Sequence, residues 1–166
     1  MNPNHTVPVL EITRDDGSVQ TMLESVAIIE WLADAFPAQG LAPAPGLGRE
    51  RADYLQMMQF VGNWMDSLLW QLRLHRDLFQ PDEVDQRTID RASAKIAAEI
   101  EPLLLERLTA SPYICGTSFS AADILTGHNV SWARAYGLCQ DDRFATYLRR
   151  LVERPAYQQA LDDVSR

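Results

Sequence analysis

Positive charge is in deficit in this sequence. Fifteen basic residues stand against 23 acidic ones, for a formal charge of −8. No basic patch stands out, which argues against nucleic acid or an anionic membrane as a partner. Cysteine is scarce. Cys115 and Cys139 lack Cys-x-x-Cys spacing, so a reduced cytoplasmic protein is expected, with both thiols as small packing groups. His5, His75 and His128 have no metal-ligand spacing, so no metal is expected. His128 falls in a helical stretch and reads as a satisfied core histidine rather than a base. No glycine-rich phosphate loop is present, since Gly46-Leu47-Gly48 follows Pro rather than a strand. Apolar runs are too short to span a bilayer, and the N-terminus lacks the basic-then-apolar pattern of a signal peptide.

What is present is ordinary for a folded globular chain of 166 residues, with 46% hydrophobic and 23% charged content. Val9, Leu10 and Ile12 predict a strand. Asp16-Gly17 predicts a hairpin turn, and Val19 to Met22 a second strand. Ser25 is placed to cap a helix bearing Ile28, Ile29, Leu32, Ala33 and Phe36, which Pro37 ends. Residues 38–48 hold three glycines and two prolines and read as a linker.

The remainder is helical. A long run from Arg49 to Phe79 carries Leu55, Met58, Met65, Leu68, Leu69 and Leu72, with a bend expected near Gly62-Asn63. A second run from about Asp85 to Leu108 contains Pro102, which should kink or split it. Ser120 and Asp123 then form a capping box, with Phe119 and Ile124 as a hydrophobic staple. Loss of either polar member should cost roughly 1 kcal/mol. That helix runs to Tyr136, with Gly137 as a left-handed cap. Two more helices follow, the second opening at Pro155.

Asn2-Pro3, Val7-Pro8-Val9-Leu10, Glu24-Ser25 and Ala27-Ile28-Ile29-Glu30-Trp31-Leu32 resemble the second half of the glutathione-binding, thioredoxin-like domain of bacterial-type cytosolic glutathione S-transferases. The capping box and Arg154-Pro155-Ala156-Tyr157 resemble that family's helical domain. The resemblance implies a mainly α fold. A partial thioredoxin-like α/β domain (residues 1–37, a β-hairpin plus helix) and a linker (38–48) would precede an all-α domain (49–166). It implies that glutathione is a co-substrate. The Val7-Pro8 backbone would pair with its cysteinyl part, and Glu24 and Ser25 would hold its γ-glutamyl end. The cis-proline turn is likewise an implication of the resemblance. Physically, backbone groups beside a fixed Pro can pair with an extended peptide, and a helix N-terminus offers free N–H groups to a carboxylate.

The same resemblance leaves the catalytic residue unassigned. In the family a Tyr, Ser or Cys near the start of the first helix stabilises the glutathione thiolate, which is the nucleophile. That helix belongs to a strand–helix–strand unit of about 30 residues, which has no counterpart before Asn2. Residues 1–166 alone are therefore expected to be inactive. Met1 is either an internal methionine of a longer chain or the true start. The implied reaction is conjugation of glutathione to an electrophilic small molecule. Met57, Met58, Trp64 and Trp132 are candidate walls of the electrophile site, with core packing as the competing role for each. A homodimer is expected. The rival reading is a non-catalytic binding or assembly module.

Overall fold

A computed structural model describes residues 6–164, so Asn2-Pro3 and His5 lie outside the described residues. The chain opens with a two-stranded antiparallel hairpin, β1 (Val9–Thr13) and β2 (Val19–Leu23). Gly17 adopts φ 80, which costs a glycine nothing, and Arg14 N donates to Ser18 O at 2.9 Å across the turn. The Asp16 carboxylate takes both the Ser18 amide and its hydroxyl, which draws the carboxyl pKa down. Helix α1 (Ser25–Ala35) follows directly, and a single turn at Pro37–Gln39 leads into the linker.

Seven further α-helices follow among the described residues: α2 (Arg49–Gln59), α3 (Asp66–Arg73), α4 (Gln86–Lys95), α5 (Glu101–Ala110), α6 (Ala121–Ala135), α7 (Asp142–Val152) and α8 (Pro155–Val164). The long run expected from Arg49 is helical throughout, but its bend is a π-helical turn at Phe60–Met65, spanning Gly62-Asn63. A second π turn, Leu74–Leu78, closes it. A third, Ile96–Ile100, lies just before Pro102, which occupies the first turn of α5. Pro102 thus neither ends the run nor breaks it apart. The wider turn absorbs the register that its ring and missing N–H forbid.

Helix α6 is central. Nine of its residues are buried, including Ala121, Asp123, Gly127, Asn129 and Ala133. Buried Asn129 ties α6 to the long helical run: its amide donates to Val61 O in the first π turn at 2.6 Å. Gly127 admits Leu151 of α7, whose Cδ1 would lie 2.4 Å from an added Cβ. Gly137 takes φ 82 just after the helix, as expected from its sequence position.

One apolar core runs from α1 through α7. Ala33 belongs to it with Tyr54, Val61, Leu69, Ile96, Ile100 and Phe144, and Val26, Ile29 and Leu41 pack against it. Helix α1 therefore shares the helical core rather than owning one. Leu41 pins the linker as well as packing, because its carbonyl accepts the Ala121 amide at 2.7 Å.

Candidate functional site

The hairpin register decides what lies side by side. Val9 pairs with Leu23, the last rung before the chain turns into α1. The residues just beyond that rung are Val7-Pro8 on one strand and Glu24-Ser25 on the other. Val7-Pro8 is a cis peptide, and Val7 is 91% exposed. Glu24 is exposed with φ 72 and ψ 113, a combination an L-residue rarely adopts. Its carbonyl accepts the Ile28 amide at 2.9 Å, the first bond of α1.

This corrects one expectation. Glu24 occupies the capping position and Ser25 is the first helical residue, and no side chain caps the helix. The amides of Ser25, Val26 and Ala27 consequently have no intrahelical acceptor, and they follow directly on the strand end whose last rung pairs Leu23 with Val9.

Helix α1 is held firmly against α2. Arg51 of α2 is buried and forks onto Asp34, with both Nη–Oδ distances at 2.8 Å. Its second nitrogen also reaches Glu30 at 3.3 Å, and Pro43 O accepts from the first. The Asp34 bond is the main reason the Arg51 pKa is raised. On the same side, Val26 Cγ2 lies 2.3 Å from where a Gly62 Cβ would stand. Only glycine lets α1 approach the π turn so closely.

The proposed electrophile walls are not brought together. Met57 and Met58 are fully buried in the core, so core packing is their observed role and neither lines an open surface. Trp64 is 41% exposed on the π turn, with Lys95 Nζ 4.9 Å from its ring centre. Trp132 is half-buried on α6 between His128 and Tyr136. A cavity of about 580 Å³ opens elsewhere, between α6, α7 and α8, and none of the proposed glutathione or electrophile residues lines it. His128 does, and it is exposed rather than a core histidine.

Neither cysteine is an activated nucleophile. Burial pushes the Cys115 and Cys139 thiols up to about 12, and the Tyr54 hydroxyl to about 12 as well. A thiol so raised is protonated near neutrality and inert. No group of three or more His, Cys, Asp or Glu that could hold a metal occurs among the described residues. None of their helices is long and apolar enough to cross a membrane.

No protein-family model matches the sequence. A curated relative, glutathione S-transferase GstA of Escherichia coli O157:H7, is 31% identical over 170 residues, covering 97% of this chain and 75% of that protein. The chain belongs to the glutathione S-transferase family. Solved structures of glutathione S-transferases agree. The bacterial enzyme BphK, in a ternary complex, superposes with a TM-score of 0.81 at 25% identity, covering 97% of this chain and 75% of that one. A sphingomonad glutathione S-transferase complexed with glutathione superposes at 0.79 and 29% identity, covering 98% and 75%. The fold is the transferase helical domain behind a thioredoxin-like hairpin and helix.

In this chain the capping box at Ser120 and Asp123 is complete. Asp123 Oδ2 accepts the Ser120 amide at 2.8 Å and its hydroxyl at 3.2 Å. The box reaches further than the three-residue spacing reveals. Asp123 Oδ1 also accepts the Ile114 amide and the Tyr147 hydroxyl, each at 2.8 Å. Burial raises the Asp123 carboxyl pKa, against the opposing pull of these donors. One fully buried carboxylate thus ties the loop before α6, the start of α6 and the middle of α7. Phe119 and Ile124, the staple pair, both border the α6–α8 cavity, and Ile124 is 44% exposed.

Proposed function

We propose that this chain binds glutathione across the end of its hairpin and serves conjugation of the glutathione thiolate to an electrophilic small molecule. The observation that supports this most directly is the register: Val9 opposite Leu23 sets Val7-Pro8 beside Glu24 and the uncapped amides of Ser25 to Ala27. An extended γ-glutamyl-cysteinyl peptide fits that pair. Its backbone pairs with Val7, and its terminal carboxylate meets the amides and the Ser25 hydroxyl. The sphingomonad relative, which shares this fold, is itself complexed with glutathione. On this reading residues 1–37 form the glutathione-binding part, 38–48 the linker and 49–166 the helical domain, in a cytoplasmic protein.

Binding and turnover separate in the test. A reference thiol of pKa about 8.5 is mostly protonated at neutral pH, so conjugation needs a group that stabilises the sulfur anion. Among the described residues Cys115, Cys139 and Tyr54 are far too basic for that role. A protein comprising residues 1–166 should therefore bind glutathione in a calorimeter and weaken several-fold on Ser25→Ala. Its conjugation of glutathione to an activated aryl halide should match an enzyme-free control. Absence of binding would remove the glutathione assignment. Saturable turnover lost on Ser25→Ala would show that these residues do hold a sulfur-activating group. Binding without turnover is also what the assembly-module reading requires.

The chain is further proposed to pair as a homodimer. Trp31 and Phe36 on and after α1 are 38% and 57% exposed, more apolar surface than a solvated helix face needs. Sedimentation at micromolar concentration should give about twice the monomer mass. A monomer throughout that range would count against the pairing.

A further inference from the structure

The loop between the second π turn and α4 is tied down by a borrowed acceptor. Residues 79–85 are all exposed. Within the loop the Gln80 amide donates to Glu83 Oε2, and the Glu83 amide to Gln80 O. Asp85 then caps α4, and its carboxylate accepts the Arg87 amide at 3.0 Å and the Thr88 hydroxyl at 2.7 Å. In a full capping box the third helical residue returns an acceptor to the capping residue's own amide. That residue is Thr88, and its hydroxyl is spent as a donor. The Asp85 amide donates instead to His75 Nδ1 at 3.1 Å, ten residues back on the π turn.

An acceptor at Nδ1 requires a neutral ring with its proton on Nε2. His75 is half-buried, and Phe79 meets it edge-on at 4.9 Å between ring centres. Asp85 faces it from α4, near enough for the two charges to attract, and Arg87 acts on the same carboxylate. On the π turn itself, Arg76 donates to Tyr136 O and Asp77 accepts the Tyr136 hydroxyl, so both are engaged at the end of α6. Glu83 is held by Gln80, Asp90 by Gln86, and Arg73 of α3 lies against Trp70 and Trp132. Asp82 and Arg91 are exposed. Bonds from Thr88 and Arg87 hold the Asp85 carboxyl below its ordinary range, so it stays ionised wherever an imidazole titrates.

We propose that His75 is a pH-dependent latch between the π turn and α4. While the ring is neutral it accepts the Asp85 amide. On protonation Nδ1 gains a hydrogen, the acceptor is lost, and two N–H groups are set against each other. The new cation is drawn to the Asp85 carboxylate, in competition with the Thr88 hydroxyl and the Arg87 amide that make the cap. Acidification thus exchanges one bond for another: it frees the Asp85 amide and loosens the first turn of α4. The ring sits between opposed helix ends. The C-terminal end of the long helical run favours a cation there, and the N-terminus of α4 disfavours one. The latch uses no residue of the glutathione assignment.

Nuclear magnetic resonance of the 1–166 protein, without glutathione, reads the latch directly. An imidazole changes charge between about pH 5 and 8. Across that range the Asp85 amide shift should follow one step with the same midpoint as the His75 ring, the bond being present on the alkaline side. Corrected for its intrinsic pH dependence, hydrogen exchange at the Asp85 amide should be about threefold to tenfold faster at the acid end than at the alkaline end. His75→Ala removes the acceptor, so the step should vanish and exchange should be fast at both ends. His75→Asn keeps a polar side chain that cannot titrate, and the step should vanish there too. Circular dichroism of both variants should match the parent, because the ring lies outside the core. An Asp85 amide whose shift shares no midpoint with the His75 ring, a step that persists in folded His75→Asn, or parental protection at the alkaline end in folded His75→Ala would each overturn the proposal.

Discussion

Asp123→Ala is expected to destabilise the protein by about 3–5 kcal/mol, well beyond the roughly 1 kcal/mol of a surface cap. The carboxylate is fully buried and accepts four donors: two backbone amides and two hydroxyls. Truncation strands all four in a site water does not reach, and each buried unsatisfied donor costs on the order of 1–3 kcal/mol before relaxation. Ser120→Ala removes a single hydroxyl and should cost only about 1 kcal/mol. Asp123→Asn keeps one acceptor oxygen and should fall between them. Denaturant midpoints with an unchanged m-value give the comparison. A loss under about 1 kcal/mol for the Ala variant would mean that the loop at Ile114 and helix α7 are held by something else.

Arg51→Ala should cost about 2–3 kcal/mol, and the loss should appear at α1 first. The Arg51 side chain is 9% exposed, while Asp34 and Glu30 keep 33% and 26%. Water partly rescues the abandoned carboxylates, so the full penalty of a broken buried pair does not apply. The geometry is nevertheless bidentate and spans two elements joined only by the linker. Hydrogen exchange should quicken at the α1 amides and little at α6. A double-mutant cycle with Asp34→Ala should recover a coupling of about 1 kcal/mol or more. Unchanged protection of α1 would show that Val26 against Gly62, with the core contacts of Ala33, suffices to seat the helix.

The hairpin is legible in the sequence because Asp16-Gly17 admits few backbone choices, and the proline at position 8 because its family context is specific. Ser120 and Asp123 are legible because a capping box is local, three residues long and bounded by a staple. The Tyr147 and Ile114 bonds to Asp123 are not, since nothing in the spacing of residues 24 and nine positions away distinguishes a partner from a neighbour. Ser25 suggests a cap because Ser favours that position. Glu24 takes it instead, at a backbone angle that no propensity scale anticipates. Arg51 resembles any other charge on a helix. Only the folded placement of Asp34 and Glu30 across from it reveals the fork.

The π turns leave no mark in the hydrophobic pattern, and the reason has its own consequence. Buried positions Met58, Val61, Met65, Leu69 and Leu72 step by three and four residues, as in an unbroken α-helix. A π turn nevertheless holds a residue beyond what an α turn accommodates. The segment Phe60–Met65 is thus constrained in length as well as at Gly62, where an added Cβ would meet Val26. Losing a single residue there without closing the wide turn would rotate all that follows by about 100°. Leu69 and Leu72 would swing out of the core, and the carbonyl of Val61 would turn away from the Asn129 amide. Lineages descending from such a sequence can repaint the solvent face of this helix, but they inherit its residue count.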